Sequence, residues 1–143
     1  EKIAWAVSRA FYIARSGRPG PVVLDFAKNA QTEMAEYEPR NINYIRSYEP
    51  VPPTDKESVI KAAELINEAK KPLVLVGQGV ELGNAQQEVR NFIEKVDSPA
   101  GCTLLGLSAL PSNHPLNVGM LGMHGSYAAN VKTQECDLLI AIG

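Results

Sequence analysis

Two short, unbroken apolar runs constrain this chain more than any other feature: Leu73-Val74-Leu75-Val76 and Leu138-Leu139-Ile140-Ala141-Ile142, set among stretches whose apolar residues recur at helical spacing. A strand wetted on one face alternates apolar with polar residues, whereas a continuous run suits a strand covered on both faces. Alternation of such strands with helices implies an α/β fold, a parallel sheet flanked by helices, because parallel neighbours need crossover connections.

Read from its first residue, the chain begins with a helical stripe of Ile3, Val7, Ala10, Phe11 and Ala14, and Gly17 stands where a helix stops. Arg18-Pro19-Gly20-Pro21 is a turn, and Val22 to Phe26 reads as a buried strand. From Lys28 to Pro53 periodicity is lost and Pro39, Pro50, Pro52 and Pro53 accumulate, the pattern of a surface connector. The division expected is residues 1–34 as the closing piece of one domain, 35–53 as linker and 54–143 as a second domain. Thr54 with Glu57 has the capping-box pattern, and Val59, Ile60, Ala63 and Ile66 make the stripe of the helix behind it. Asn84 with Gln87 repeats the capping arrangement ahead of Val89, Phe92, Ile93 and Val96. A strand containing Cys102 follows Pro99. Then come a glycine-rich irregular stretch through Gly125, a short helix from about Ala128 to Gln134, and a last strand that Asp137 opens as a cap or turn residue.

At 143 residues, with 45% hydrophobic residues, the chain can bury a real core. A net charge of -2 offers no general field for nucleic acid or anionic lipid, so neither is expected as a partner. No apolar run approaches the ~20 residues of a membrane span, no charged segment leads into an apolar leader, and the expected location is the cytoplasm. Cys102 and Cys136 lack metal-ligand spacing and read as buried thiols of a reducing compartment. Both ends read as cut, since the chain opens inside a helical pattern and stops straight after an apolar run. No Gly-x-Ser-x-Gly elbow, phosphate loop ending in Gly-Lys-Ser/Thr or His-Glu-x-x-His occurs, so neither a catalytic set nor a metal site is visible. Glu64, Glu68, Glu88 and Glu94 fall on polar helix faces and read as solvated.

Ligands of an open parallel sheet bind beyond the carboxyl ends of its strands. Gly77-Gln78-Gly79 stands at such an end and either lets a ligand approach the backbone or makes a plain tight turn. Leu121-Gly122-Met123-His124-Gly125 places a thioether and an imidazole between two glycines. That is either a ligand loop, or a gap-filling methionine beside a histidine bonded to a backbone carbonyl. His114 reads as a surface histidine. Arg18 could offer paired donors to an anionic cofactor or simply favour the end of the first helix, and Lys28 is either a pocket cation or a surface lysine.

Five stretches in order resemble the acetolactate (acetohydroxyacid) synthase large subunit, a thiamine-diphosphate enzyme family. They are Ser16-Gly17-Arg18-Pro19-Gly20-Pro21-Val22, Val76-Gly77-Gln78-Gly79, Thr103-Leu104-Leu105-Gly106, Gly119-Met120-Leu121-Gly122-Met123-His124-Gly125 and Glu135-Cys136-Asp137-Leu138-Leu139. The resemblance implies the last helix and strand of a pyrimidine-binding domain followed by most of a Rossmann-like central domain. It implies a parent enzyme that condenses pyruvate with a second 2-keto acid after thiamine-dependent decarboxylation, in branched-chain amino-acid synthesis. The activating glutamate would precede Glu1, and the Gly-Asp-Gly motif holding Mg2+ and thiamine diphosphate would follow Gly143. FAD, which takes no net redox part, would bind here. Arg18 matches a contact to the flavin nucleotide; Gly77, Gln78 and Gly79 match backbone contacts; Thr103, Leu104 and Leu105 match a wall. Leu121, Gly122, Met123 and His124 match the loop against FAD, and Gly143 opens a further contact segment. Lys28 corresponds to a residue near the substrate channel, and no catalytic residue is carried over. The parent would be a homo-oligomer with a possible regulatory small subunit. Gln78 and Ala27 depart from the glycine and proline usual there, and the larger Gln78 narrows the backbone approach. Glyoxylate carboligase, sulfoacetaldehyde acetyltransferase and pyruvate oxidase share the architecture, and a self-standing nucleotide-binding module is the reading outside enzymes.

Overall fold

The structure, a computed structural model, describes residues 2–143. They form two compact units that divide between Thr54 and Asp55.

In the first unit, α1 (Ile3–Arg15) ends at an extended Ser16, and Gly17 takes the left-handed φ of 59° that stops the helix. Tyr48 seals this end: its hydroxyl lies 3.0 Å from Ser16 Oγ, and its ring meets Tyr12 edge-on with centroids 6.1 Å apart. A Cβ on Gly17 would come within 2.8 Å of the same hydroxyl, so both φ and contact require glycine. Only Ala10 of α1 is buried, and Phe11 is 65% exposed. The strand expected over Val22 to Phe26 does not form; Val23 is 89% exposed. A ladder needs a neighbouring strand, and among the described residues of this unit the only pairing is the isolated bridge between Ile45 and Tyr48. The connector is irregular as expected, apart from this bridge and a five-residue helix at its start, α2 (Lys28–Thr32).

The second unit runs α3 (Lys56–Glu68), β1 (Pro72–Val76), α4 (Gly79–Leu82), α5 (Gln86–Val96), β2 (Ala100–Cys102), a 3-10 helix (Leu104–Ala109), β3 (Asn117–Met120), α6 (Tyr127–Glu135) and β4 (Leu138–Ile142). All four strands are parallel, in the order β3-β2-β1-β4, with Val74 registered between Ala100 and Ile140 and Val76 between Cys102 and Ile142. The α/β class with a parallel sheet and flanking helices is thus what the sequence folds into. Val74, Val76, Val80, Val89, Ile93, Ala100, Cys102, Ala109 and Leu110 make one buried cluster on the α5 side. Each valine, leucine or isoleucine among them contributes about 1.5–3 kcal/mol by leaving water.

Local chemistry corrects several expectations. The cap of α3 is Asp55 rather than Thr54: its carboxylate accepts the amides of Glu57 (3.2 Å) and Ser58 (3.1 Å) and the Ser58 hydroxyl. A carboxylate satisfies several orphan donors at once, where a hydroxyl satisfies one. Asn84 does not cap α5; it closes the turn after α4 at φ 52°, and Ala85 precedes α5 without a side-chain cap. The stretch to Gly125 is more regular than its glycines suggested, since it holds the 3-10 helix and β3. The stripe of α3 stays largely open: Val59 is 55% and Ile60 51% exposed, Ile66 is half-buried, and no residue of that helix is fully buried. Cys102 is buried, but Cys136 is only half-buried and donates its thiol to the Thr133 carbonyl (3.3 Å).

Candidate functional site

Each strand of the sheet ends in one of the singled-out segments. Gly77-Gln78-Gly79 follows β1, Thr103-Leu104-Leu105 follows β2, Leu121-Gly122-Met123-His124 follows β3 and Gly143 follows β4. Since the strands are parallel, all four segments gather on the carboxyl edge. The chain moves from β1 to β2 to β3 on one side and returns to the other side of β1 for β4, so the topological switch lies between β1 and β4, where Gly77 and Gly143 meet.

The edge is stepped. The first residue past β1, β2 and β3 still donates its amide to the neighbouring strand's last carbonyl: Gly77 to Ile142 (2.8 Å), Thr103 to Val76 (2.9 Å) and Leu121 to Cys102 (3.0 Å). Those amides are occupied, and the space beside the glycines is filled by the chain itself. A Cβ on Gly77 would fall 2.0 Å from the Gly143 carbonyl oxygen, and one on Gly79 would fall 2.7 Å from Gly143 Cα. These glycines therefore serve the close approach of β4's end to the turn after β1. The 3-10 helix closes down the same way, with Gly106 against the Val76 carbonyl, where a Cβ would sit at 2.3 Å.

What the edge presents outward is apolar and open. Leu104 is 68%, Leu105 52% and Met123 93% exposed, and Gly122 and His124 are exposed beside them. Met123 fills no gap, and the His124 ring makes no hydrogen bond among the described residues, which removes the plain structural reading of this turn. Gln78 and Thr103 are half-buried at the same edge.

Asn130, Ser126 and Asn117, absent from the sequence reading, hold this loop. A bulge in the β2–β3 pairing lets Gly119 take φ 95°. The freed amide of Gly119 donates to Asn117 Oδ1 (2.8 Å), and Ser126 Oγ donates to the Val118 carbonyl (2.6 Å). Ser126 also caps α6 by accepting the Ala129 amide (3.2 Å). A serine just before a helical stretch was the available signal for it. For Asn130 there was none.

Elsewhere, His114 is not a surface residue. Its side chain is 9% exposed; Nδ1 accepts the Leu116 amide (3.3 Å), which leaves Nε2–H to donate to Glu94 (3.2 Å) and ties the approach to β3 onto α5. Asp137 is more than a local cap, because its carboxylate accepts the amides of Lys70 (2.8 Å) and Lys71 (2.9 Å), 67 and 66 positions away. Those two donors, Lys70 first, hold its pKa below the ordinary carboxylate value. Burial pushes the Cys102 thiol up, away from nucleophilic use. Arg18 and Lys28 belong to the first unit, where both are exposed and neither forms an ion pair among the described residues. Among those residues no three His, Cys, Asp or Glu are grouped to hold a metal ion, and no helix is long and apolar enough to cross a membrane.

Residues 59–143 match the family model of the thiamine pyrophosphate enzyme central domain. Among curated proteins, the acetolactate synthase large subunit of Buchnera aphidicola (Schizaphis graminum) is 40% identical over 146 residues, covering 100% of this chain and 25% of that protein. Acetolactate synthase isozyme 1 large subunit of Escherichia coli K12 is 43% identical over 143 residues, with the same coverages. The chain thus spans about a quarter of the length of the curated relatives it matches. An X-ray structure from Mycobacterium smegmatis, assigned as a thiamin diphosphate-dependent enzyme, superposes with a TM-score of 0.73 at 26% identity, covering 100% of this chain and 27% of that one.

Proposed function

From the premise that this chain belongs to the thiamine pyrophosphate enzyme family through its central domain, we propose that the whole protein is an acetolactate synthase large subunit and that the carboxyl edge of the second unit is its flavin surface. The whole protein would join the two-carbon unit left by pyruvate to a second 2-keto acid, in branched-chain amino-acid synthesis and with thiamine diphosphate and Mg2+ as cofactors. Thiamine diphosphate supplies the carbanion chemistry when bound, and this chain's own residues take other parts.

The observation that carries the reading is convergence: all four strand ends deliver Gly77 to Gly79, Thr103 to Leu105, Leu121 to His124 and Gly143 to one edge. The residues fit an extended, largely planar ligand. Leu104, Leu105 and Met123 offer open apolar contact area, while His124 and Thr103 offer polar groups next to it. The glycines contribute indirectly, letting the chain close up beneath the ligand, so Gln78 in place of a third glycine costs no ligand contact. The pairing of Arg18 with the flavin nucleotide and of Lys28 with the substrate channel rests on the sequence resemblance alone. So do a homo-oligomeric assembly, a regulatory small subunit and a cytoplasmic location.

The test uses the whole protein carrying this chain, purified and assayed for acetolactate formed from pyruvate with thiamine diphosphate and Mg2+ added, alongside the flavin absorbance it retains. Both signals are expected, and Arg18→Ala should weaken FAD about tenfold to a hundredfold, the worth of one charge-assisted phosphate contact. Absence of acetolactate removes the assigned activity; flavin retention unchanged in Arg18→Ala removes that residue from the site.

A further inference from the structure

Met123 and His124 occupy the tip of a four-residue turn whose closing bond runs from the Gly125 amide to the Gly122 carbonyl (2.9 Å). Gly122 sits at φ 105°, and a Cβ built there meets nothing within 4 Å, so side-chain packing does not fix this turn. A single side chain does. Asn130 Oδ1 accepts the Gly122 amide (3.0 Å) and Asn130 Nδ2 donates to the Gly122 carbonyl (2.9 Å). Asn130 is itself well placed, one turn into α6, where its amide bonds the Ser126 carbonyl (3.2 Å) and Ser126 in turn donates its amide to the Met120 carbonyl (2.8 Å). The route from bulge to Ser126 to α6 to Asn130 returns to the loop that leaves β3, so the turn is clamped at both ends to one helix.

We propose that Asn130 is the positioning residue of this edge: it holds the Met123-His124 tip in the conformation that meets the flavin, and it touches no ligand itself. The assignment rests on the flavin reading above. The chemistry selects this residue type. One carboxamide supplies an acceptor and a donor in a plane, matching the N–H and C=O of a single glycine. A carboxylate would keep the acceptor but turn an oxygen toward the Gly122 carbonyl, and a glutamine would reach one methylene too far. A tip already held in place loses less freedom on binding, and affinity rises accordingly.

Asn130→Ala and Asn130→Asp in the whole protein, titrated with FAD and followed by amide exchange, test this. Each variant is expected to bind FAD about tenfold more weakly, to alter the shape of the bound flavin's visible band, and to exchange the Gly122 and Gly125 amides faster while Val74 and Val76 stay protected. FAD affinity equal to that of wild type, with the turn released, overturns the proposal. So does faster exchange throughout the sheet, which would make Asn130 a general structural residue. A wild-type protein that takes up no FAD overturns the flavin reading and this assignment together, an outcome separable from failure of the variants alone.

Discussion

Helices α5 and α3 carry the same kind of apolar stripe and meet opposite fates. Val89 and Ile93 of α5 are 5% and 0% exposed, while Val59 and Ile60 of α3 are 55% and 51% exposed. The difference lies in connectivity. Helix α5 lies within the crossover from β1 to β2, and a parallel crossover must return over the sheet, which lays the helix against Val74, Val76 and Cys102. Helix α3 precedes β1, the first strand of its unit, so no crossover draws it back. A periodic stripe therefore states which face a helix can bury, and the strands on either side decide whether it does. The first unit repeats the lesson, since among its described residues α1 and the Val22 to Phe26 run have apolar side chains but no strand to pack on or pair with.

The strongest way to break this comparison is Ile93→Ala. Ile93 is fully buried in the sheet-facing cluster, so truncation leaves a cavity and should cost about 2–5 kcal/mol in urea or thermal unfolding. A loss under about 1 kcal/mol would mean that α5 is no better anchored than α3.

Legibility followed the same division. Strand β1 could be read from its run because it is covered on both faces, whereas β4 carries the same kind of run with Leu139 and Ala141 exposed on one face; the candidate edge could be read because a parallel sheet sends its strand ends to one side. Strand β3 could not, since Asn117-Val118-Gly119-Met120 is short, carries a glycine at φ 95° and depends on a bulge. The roles of Asn130 and Asp137 were hidden for another reason: each bonds backbone groups brought near only by the fold, and neither residue type announces such a partner. Gly77 and Gly79 were legible as a ligand approach or a tight turn, and the structure adds a third demand for glycine there, the nearness of Gly143.

Asp137→Asn sharpens the comparison at the point where the segment after α3 is attached. The carboxylate holds the Lys70 and Lys71 amides, and its pKa in the folded state lies below the ordinary 3.8. A depressed carboxylate adds stability above its unfolded pKa, and that stability is lost as pH falls through the folded value. Wild type should therefore exceed Asp137→Asn in thermal midpoint by a small margin at neutral pH, and the gap should narrow below about pH 3.9. A gap that widens in acid would show that the Lys70-Lys71 segment is held by something else.

The smallest effect belongs to Ile60→Ala, the counterpart of Ile93→Ala on α3. At 51% exposure Ile60 removes little surface from water, and no residue of its helix is fully buried, so the packing loss falls within about 0.5 kcal/mol. Intrinsic preference acts in the opposite direction. A β-branched isoleucine restricts its own rotamers against the preceding turn, and alanine is the better helix former by a few tenths of a kcal/mol. The two terms nearly cancel, and the variant should unfold within error of wild type or slightly above it. Far-ultraviolet circular dichroism during urea titration measures this directly, with Ile93→Ala in parallel as the scale. If Ile60→Ala instead lost 2 kcal/mol or more, α3 would have to lie against a surface that buries its stripe, and the contrast with α5 would vanish because the same pattern would have found the same kind of partner by a route other than a crossover.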